Sequence, residues 1–347
     1  GAGMIGLLLA ALLRNIEGLS ITLIDSGSRP QLDNESMSMR VSAISPSTIE
    51  ILKNANVWEE ILETNACPFV AMRVWDQMSY PEGPESLFFD SAEFSLGQLG
   101  FIVENKLIET ALLRKIEKEG ISVQYGKKIN SIERCGSLYT IDLEHSKKIR
   151  ADLLVGADGS NSFVRKSAAI DIKSWVYSQD AIVTSAQTEF SHKNIAWQRF
   201  TPNGPVGILP LNDGRVSIIW STSTEEAHRL VNMNDKDFTC ALNKITDNIL
   251  GNMYPEGTRV TFPLRSQYAK DYVQAGLALI GDAAHTVHPL AGQGANLGFS
   301  DAATLANVIC ESLDIDENPG DFPTLRKFER SRKGKNLEML STIHLIN

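Results

Sequence analysis

The stretch GAGMIGLLLAALLRNIEGLSITLID (residues 1–25) decides the predicted fold. It opens with the spacing G-x-G-x-x-G, whose glycines are Gly1, Gly3 and Gly6. Strong helix formers follow over residues 7–17, and the short apolar run over residues 21–25 predicts a buried strand that ends at Asp25. A glycine turn, a helix and a strand with an acidic residue at its end are typical of a dinucleotide-binding α/β unit.

Each part of this unit has a physical reason. The glycines allow a tight turn and the close approach of a pyrophosphate, and the helix N-terminus presents free N–H groups to the phosphate oxygens. Asp25 is placed to accept hydrogen bonds from a ribose. An ordinary glycine turn before a helix is the alternative interpretation. Because the sheet needs a strand before the turn, we expect a few apolar residues upstream of Gly1 in the natural chain.

The bulk composition indicates a globular protein of about two domains. The chain has 347 residues, 43% hydrophobic and 22% charged, and it lacks the run of about 20 apolar residues that would span a bilayer. Its net charge of −9 argues against nucleic acid as a partner. The four cysteines are far apart and form no C-x-x-C pair, which favours unpaired thiols and a cytoplasmic location.

The pattern of elements predicts a Rossmann-like α/β domain into which a mainly antiparallel β domain is inserted. Helices are predicted over residues 41–64, with the start signal Ser45-Pro46, and over residues 104–118. Strands dominate the second β block, where Asn212-Asp213-Gly214 is a hairpin turn. The predicted dinucleotide domain comprises residues 1–65, 100–170 and 270–310; the predicted substrate domain comprises residues 66–99 and 171–269; residues 311–347 begin a C-terminal helical region.

A second glycine–acid motif, ADGSNSFVR (residues 157–165), follows a predicted buried strand. It combines Asp158, Gly159 and Arg165 at a strand-to-helix turn. Taken alone, the segment is more typical of an Asx-type helix cap with a surface arginine. Its place between two other glycine–acid motifs favours a role at the same ligand.

The third motif, GDAAHTVHPLAGQGANLG (residues 281–298), follows another predicted buried strand. Asp282 is placed to bind a polyol, and the glycine-rich turn directs backbone N–H groups and a helix N-terminus at the ligand. Such a dipole favours developing negative charge by roughly 0.3–1 kcal/mol in exposed sites and up to about 2 kcal/mol when partly buried. His285 and His288 lack a third ligand at suitable spacing, so no metal is predicted.

In this order the motifs resemble the class A flavoprotein aromatic hydroxylases, the para-hydroxybenzoate hydroxylase superfamily, from Gly1 to about Arg332. Within that superfamily the chain is most similar to the ubiquinone-biosynthesis hydroxylases. The closer resemblance rests on RVSAIS (residues 40–45), LGFIVEN (residues 99–105) and residues 281–298. WQRFTPNGPVGILP (residues 197–210) is most similar to the 3-demethoxyubiquinol hydroxylase branch.

The resemblance implies an FAD site divided among the three motifs. The ADP half would be held by Gly1, Gly3, Gly6 and Asp25. The phosphate and ribityl region would be bound by Arg40, Asn105, Gly281 and Asp282, and the pyrimidine edge would lie over Gly292, Gln293, Gly294, Ala295 and Asn296. The motif that the superfamily uses for both FAD and NAD(P)H is matched by Asp158, Gly159 and Arg165. From the residues alone, a surface guanidinium for Arg40 and a helix-capping amide for Asn105 are the alternatives.

The resemblance also implies a reaction. NAD(P)H would reduce FAD, O2 would add at flavin C4a, and the hydroperoxide would hydroxylate the activated ring of a polyprenylated phenol or quinol. Because the cofactor carries this chemistry, few acid–base side chains are required. We hypothesise that the strands around Leu209 and Trp220, with Pro289, line the ring pocket. His285 is the titratable residue nearest the third motif, and a structural role is favoured over a catalytic one.

Several alternatives stay open at this level. The attacked ring carbon, a soluble phenol as substrate, the electron donor and the oligomeric state are undecided. A halogenase or prenyl reductase is a rival flavoenzyme, although the halogenase signature W-x-W-x-I-P is absent; a non-catalytic FAD-binding subunit and a cofactor-free α/β domain are rivals of other classes. Family members usually continue beyond Asn347, and such a segment would allow peripheral association with the inner membrane within a biosynthetic complex.

Overall fold

The computed structural model describes residues 1–30, 40–145, 148–287 and 294–346. In chain order its helices are α1 (Met4–Leu13), α2 (Pro46–Asn54), α3 (Trp58–Asn65), α4 (Asn105–Lys118), α5 (Phe163–Ser167), α6 (Thr224–Val231), α7 (Asp235–Ile245), α8 (Gly294–Asp314) and α9 (Phe322–Ile346). No helix in these ranges combines the length and the apolarity needed to cross a bilayer.

The strands alternate with these helices in the first half of the chain and dominate the middle. In chain order they are β1 (Leu23–Ile24), β2 (Val41–Ile44), β3 (Ala66–Phe69), β4 (Ala71–Asp76), β5 (Leu87–Asp90), β6 (Gly100–Glu104), β7 (Val123–Gln124), β8 (Ile129–Cys135), β9 (Leu138–Leu143), β10 (Ile149–Ala151), β11 (Leu154–Gly156), β12 (Ile172–Thr188), β13 (Ile195–Phe200), β14 (Val206–Pro210), β15 (Val216–Ser223), β16 (Met253–Ala269), β17 (Val273–Gln274), β18 (Leu277–Leu279) and β19 (His285–Thr286).

Helix α1 lies at the centre of the dinucleotide-binding part. Its sequence is apolar on every side, and Leu7, Leu8 and Ala11 are fully inaccessible to solvent. It packs against α4 and α8. The parallel pairs β1–β7 and β11–β18 supply the strands of this layer. Together with the large antiparallel sheet described below, this arrangement confirms the predicted α/β fold with a mainly antiparallel β part.

The segment that we predicted as one helix over residues 41–64 is a strand followed by two helices. Val41–Ile44 forms β2, because each of its residues pairs antiparallel with β6. Ser45 begins α2 as predicted, since its hydroxyl accepts the Thr48 N–H. Asn56 then adopts a left-handed φ of 56° after the end of α2. The prediction was wrong at its start because pairing with a distant strand decides the structure there.

The second part of the fold is an eight-stranded sheet in the order β19–β16–β12–β15–β14–β13–β4–β5. Its pairs are antiparallel except for β13 with β4. The predicted hairpin at Asn212-Asp213-Gly214 is confirmed, since it joins the paired strands β14 and β15. Within the predicted insert at residues 66–99, β3 pairs with β6 of a separate sheet, so the chain enters the large sheet only at β4.

The two faces of the large sheet contact different structures. One face packs under α6 and α7 in a core that includes Trp220 and Phe238, and we call it the helix-covered face. The opposite face carries Leu209 and turns toward β2 and β6 of the dinucleotide-binding part, where Leu209 clusters with Ala43 and Ile102. We call this second face the inner face. It places the large sheet over the region where the glycine motifs meet.

Candidate functional site

The glycine turn that leads into α1 contains two glycines that leave no room for a side chain. A Cβ on Gly1 would lie 2.4 Å from the carbonyl oxygen of Ala157, and a Cβ on Gly6 would lie 2.0 Å from the carbonyl oxygen of Gly1. Both distances are far inside van der Waals contact, so only glycine fits. The two positions bring the start of α1 directly against the second motif.

Gly3 differs from its neighbours because it faces open space. A Cβ built there meets only Glu109 Oε1, at 3.8 Å, and its φ of −79° suits any residue. The N–H of Met4 hydrogen-bonds to the Glu109 carboxylate; burial raises the pKa of that carboxyl, and this hydrogen bond opposes the rise. A glycine at a position where the protein itself would admit a side chain is typical of a backbone that a ligand approaches closely.

Asp25 closes the other side of the glycine turn. Its Oδ2 accepts the N–H of Ala2 at 2.7 Å, and its Oδ1 accepts the N–H of Gly27 at 2.7 Å. The residue follows β1, which pairs in parallel with β7, so the carboxylate lies at the carboxyl end of a parallel strand. Ligands of open α/β sheets bind at this edge.

In the second motif, one carboxylate oxygen of Asp158 accepts hydrogen bonds and the other has no partner among the described residues. Its Oδ2 accepts the N–H groups of Phe163 at 2.7 Å and Val164 at 3.0 Å, which caps α5 as the helix-cap interpretation predicted. Its Oδ1 is buried and has no hydrogen-bond partner in the described part of the chain. Buried carboxylate oxygens are rarely left in this state, so Oδ1 is an acceptor available to a donor from outside the described chain.

Arg165 connects the second motif to the third. It is 4% exposed, and its guanidinium donates to the carbonyl oxygens of Ala283 at 2.7 Å and Ser160 at 2.8 Å. Burial lowers the pKa of this guanidinium, and the negative charge of Asp158 opposes that effect. Gly159 between them has a left-handed φ of 78°, which favours glycine.

The third motif packs on the same turn of α1. Gly281 has a left-handed φ of 58°, and a Cβ there would lie 3.2 Å from Ile5 Cγ1. A Cβ on Gly298 would lie 2.9 Å from Ile5. Ile5 therefore fills the space between these two glycines. All three glycine–acid motifs meet around the first turn of α1, although they are far apart in sequence.

Asp282 occupies a concave position that water can reach. Its side chain is exposed, yet surrounding protein raises the pKa of its carboxyl, an effect that the nearby charges of His285 and Arg40 oppose. Arg40 also lies over the Phe262 ring, with Cζ 4.1 Å from the ring centroid. Because Phe262 belongs to β16, Arg40 reaches from the dinucleotide-binding part to the large sheet. The two charged side chains thus lie near each other where the two parts meet, and we call this region the cleft.

Two of the predicted cofactor residues use their side chains to join protein segments. Asn105 accepts the Ser42 hydroxyl at 2.7 Å, which ties α4 to β2. Asn296 donates to the Ala43 carbonyl at 2.8 Å and accepts the Thr48 hydroxyl at 2.8 Å, which ties α8 to β2 and α2. Both side chains thus connect the elements next to the cleft: β2 is bonded to α4 through Asn105 and to α8 through Asn296.

The remaining predicted residues of the third motif lie at or before the start of α8. Gly294 approaches Val287, since a Cβ there would lie 3.3 Å from Val287 Cγ2, and Ala295 packs against the core. Three predicted residues lie outside the described ranges: Pro289, Gly292 and Gln293.

A buried carboxylate behind the third motif connects it to the C-terminal helix. Asp301 of α8 has no exposed surface. Its Oδ2 accepts the N–H of Gly281 at 3.1 Å and lies 2.5 Å from His285 Nε2. Its Oδ1 accepts Arg332 Nε at 2.7 Å and Asn336 Nδ2 at 3.2 Å. One side chain therefore holds the glycine–aspartate turn on one side and α9 on the other.

His285 belongs to this network and not to the cleft. It is 2% exposed, and its ring stacks on Tyr272 with centroids 5.9 Å apart and an interplanar angle of 27°. Its Nε2 faces Asp301, so the geometry favours the structural role that we preferred for it. Within the described ranges, no group of three potential metal ligands lies together.

The Asp301 network predicts a loss of stability in acid. Burial is the largest influence on this carboxyl, but the charges and hydrogen bonds of His285 and Arg332 together hold the pKa of Asp301 below its ordinary value of 3.8. A carboxyl whose pKa is lower in the folded state contributes stability above its unfolded pKa and loses it as the pH falls through the folded pKa. In urea unfolding between pH 7 and pH 3, we expect the stability difference between wild type and Asp301→Asn to shrink below about pH 3.8. A difference that stays constant across this range would contradict the assignment.

Leu209 and Trp220 lie on opposite faces of the large sheet. Leu209 is on the inner face, whereas Trp220 packs against Phe238 of α7 on the helix-covered face, with ring centroids 6.3 Å apart. Trp220 pairs with Val206, an odd number of residues from Leu209, and successive residues of a strand point to opposite faces. The prediction that both residues line one pocket was therefore wrong for Trp220.

Comparison with known proteins identifies the family. The sequence matches the FAD binding domain family over residues 1–317. The chain belongs to this family. It is 34% identical over 347 residues to 3-demethoxyubiquinol 3-hydroxylase of Escherichia coli (strain K12), an alignment that covers 99% of this chain and 87% of that protein. It is 33% identical over 395 residues to the mitochondrial ubiquinone biosynthesis monooxygenase COQ6 of Homo sapiens, covering 100% of this chain and 83% of that protein.

Solved structures agree on the fold. The crystal structure of pqsL, a probable FAD-dependent monooxygenase from Pseudomonas aeruginosa, matches with a TM-score of 0.82 and 21% identity over 99% of this chain and 93% of that one. The p-nitrophenol 4-monooxygenase PnpA from Pseudomonas putida DLL-E4 matches with a TM-score of 0.79 and 18% identity over 99% and 85% of the two chains. The predicted class is confirmed: the protein is an FAD-dependent aromatic monooxygenase.

The residues of this member of the FAD-binding family fit the cofactor. Gly3 leaves open the space that a pyrophosphate needs at the N-terminus of α1. The orphaned Oδ1 of Asp158 and the accessible carboxylate of Asp282 both accept hydrogen bonds, which suits the hydroxyls of a ribityl chain. The backbone at Gly3, the Asp158 carboxylate and the Asp282 carboxylate all lie around the first turn of α1.

Sequence reasoning missed the residues behind the site. Asp301 was not singled out, although an acidic residue in the apolar run of α8 is a usable signal for a buried partner. Arg332 gave no such signal, because it lies among many charged residues of α9. Glu109 was also missed; only its position one turn after Asn105 on α4 places it beside Met4.

Proposed function

We propose that this monooxygenase hydroxylates the ring of a polyprenylated phenol or quinol in ubiquinone biosynthesis. The names of its relatives from Escherichia coli and Homo sapiens support this substrate class. The structural observation that carries the proposal is the apolar inner face of the large sheet, which lies over β2 and β6 beside the cleft of Arg40 and Asp282. An apolar wall next to a flavin site suits an aromatic ring with few polar groups.

In this proposal FAD extends along the three motifs. Its ADP half is held by the glycine turn of α1 and by Asp25, and its ribityl chain by Asp158 and Asp282, with Arg40 near the phosphates. When bound, FAD takes electrons from NAD(P)H and activates O2, so it supplies the redox chemistry.

Three further predicted residues act by positioning in this proposal. The guanidinium of Arg165 and the amides of Asn105 and Asn296 already bond to protein groups that border the cleft. We assign to their side chains the task of fixing the second and third motifs relative to α1 and β2.

The chain's own contribution to the chemistry is to bind, orient and exclude water. The large sheet packs apolar side chains such as Leu209 against Ala43 and Ile102 of the dinucleotide-binding part, which seals the border of the cleft from water. A closed apolar site strengthens every electrostatic contact inside it and protects reactive oxygen from water. The oxygen substituent of the ring provides the electrons for the attack, so no protein nucleophile is needed.

The proposal is tested with the FAD-loaded chain, NADPH, oxygen-18 gas and a methoxyphenol or quinol that carries a short prenyl group. We expect NADPH oxidation to rise with the phenol or quinol and one oxygen-18 atom to appear on the ring, whose position mass spectrometry and NMR then identify. Reduction of FAD without ring oxygenation of any phenol or quinol would overturn the proposal and favour a non-catalytic FAD-binding subunit. Quinone precursors that accumulate in a strain lacking the gene identify the natural substrate.

Asp282→Ala should weaken FAD binding while leaving the folded chain intact. Hydrogen bonds to a charged group contribute about 1.5–3 kcal/mol, so we expect the Kd for FAD to rise about 10- to 100-fold. Because the side chain is exposed, urea unfolding of the FAD-free protein should not change. Flavin fluorescence measures the Kd, and Asp271→Ala, at another exposed aspartate, is the matched control. Equal FAD affinity in Asp282→Ala and wild type would exclude Asp282 from the cofactor site.

A further inference from the structure

The inner face carries a glutamine between two apolar contacts. On β13, Ala196 packs with Ile102 of the dinucleotide-binding part, and Phe200 packs with Val287, which follows the glycine–aspartate turn. Gln198 lies between them, and alternate residues of a strand point to the same face. The Gln198 side chain is therefore directed into the space between the large sheet and the FAD-binding part.

This glutamine is largely buried, but its side-chain amide bonds to no described residue. It is 7% exposed, and no hydrogen bond of its side-chain amide is found in the part of the chain that the structure describes. A side-chain amide offers two N–H donors and one carbonyl acceptor. Because the chain does not use these groups, the amide is available to a partner that is not part of the folded chain.

The strand beside it leaves room for that partner. Gln198 pairs with Gly207 of β14. A Cβ on Gly207 would meet only Ile219, at 3.9 and 4.0 Å, so the inner face is open above this residue. A glycine inside a strand often marks a position where another group approaches the backbone closely. We call the space above Gly207, beside Gln198 and Ile219, the Gln198 hollow.

The position of the Gln198 hollow relates it to the flavin. Phe200, two residues along β13, packs in a cluster with Val287 of the third motif, and Ala196 clusters with Ile102 on β6. The hollow thus lies between two contacts that attach the large sheet to the FAD-binding part. Gly207 and Ile219 border it with little bulk, which suits a flat ring, and Gln198 offers a polar group beside them.

We propose that the Gln198 hollow is the ring subsite and that the Gln198 amide hydrogen-bonds an oxygen substituent of the ring. This inference rests on the proposed function and deepens it. The ligand class is a phenol or quinol, because a neutral amide can accept from a ring hydroxyl and donate to the oxygen of a neighbouring methoxy group. The contact distinguishes the oxygenated ring from a plain hydrocarbon, so it orients the ring relative to its prenyl chain.

The test measures ring binding without turnover. The FAD-loaded chain is titrated with a short-chain prenylated methoxyphenol and with a prenylated arene of the same shape that has no ring oxygen, and the change in flavin absorbance gives each Kd. For Gln198→Leu we expect a roughly tenfold weaker affinity for the methoxyphenol and an unchanged affinity for the arene, since a neutral hydrogen bond is worth about one such factor. Gln198→Met, which keeps the length of the side chain, should behave in the same way.

The control is Gln187→Leu, which removes an exposed amide from β12 of the same sheet. It should leave both affinities unchanged, and circular dichroism and FAD content show whether each variant folds. Equal affinities for the methoxyphenol in Gln198→Leu, Gln198→Met and wild type would overturn the assignment of Gln198 alone. Failure of the wild-type protein to bind any phenol or quinol would instead overturn the proposed function.

Discussion

Replacement of Asp301 by asparagine should lower the free energy of unfolding by about 3–5 kcal/mol, because it leaves the buried Arg332 guanidinium without its carboxylate. The same change should weaken FAD binding. Asp301 Oδ2 holds the N–H of Gly281 and the ring of His285, which stand on either side of Asp282 in the chain. Urea unfolding of the FAD-free protein measures the first effect, and flavin fluorescence titration measures the second.

A matched control separates the network from the helix that carries it. Asp314 lies on the same helix α8 and is exposed, so Asp314→Asn should change neither quantity appreciably. The double variant Asp301→Asn/Arg332→Met removes both buried charges, and we expect it to recover part of the lost stability but not the FAD affinity. If Asp301→Asn binds FAD as wild type does, the network is structural only and does not position the flavin turn.

The part of the fold that could be predicted from the sequence is the part governed by local pattern. The glycines before α1, the strand that ends before Asp25 and the hairpin between β14 and β15 each depend on residues that are close together in the chain. Glycine spacing, helix propensity and turn residues act over these short distances. For the same reason the three motifs could be recognised separately, each by its own strand and turn.

The long-range contacts could not be predicted in this way. The helix predicted over residues 41–64 includes β2, because only the pairing of β2 with β6 makes it a strand. Trp220 was placed in the pocket because the sequence shows an apolar strand but not which face is covered by α7. The bond between Asp301 and Arg332 links two helices, and a charged tail carries no sign of its one buried arginine.

The candidate site illustrates the same division at the level of single side chains. Family resemblance indicated which segments border the cofactor, and the structure brings Asp25, Asp158 and Asp282 to one helix turn. Family resemblance could not indicate whether an individual polar group faces the ligand or the protein. The side chains of Arg165 and Asn296 bond to neighbouring protein segments. The Gln198 side chain, on a strand outside the three motifs, has no protein partner in the described ranges.

The glycines of the first motif allow the fold and the cofactor site to be tested separately. A methyl group at Gly6 would lie 2.0 Å from the carbonyl oxygen of Gly1, so Gly6→Ala requires a shift of backbone. Such overpacking costs about 1–3 kcal/mol or more, and we expect the FAD-free protein to lose at least this much stability. At Gly3 the same methyl group meets nothing closer than 3.8 Å, so Gly3→Ala should keep the stability of the FAD-free protein within about 1 kcal/mol of wild type.

In Gly3→Ala, FAD binding should weaken strongly although the stability of the FAD-free protein is kept. The methyl group of Gly3→Ala occupies the open space at the N-terminus of α1, where a pyrophosphate would receive the backbone N–H groups. Losing hydrogen bonds to a charged phosphate costs about 1.5–3 kcal/mol, so the Kd for FAD should rise about 10- to 100-fold in a protein that still folds. Urea unfolding and flavin fluorescence titration measure the two effects on the same samples. Wild-type FAD affinity in Gly3→Ala would show that the pyrophosphate does not approach this turn, whereas loss of folding there would show that the space above Gly3 is needed by the chain itself.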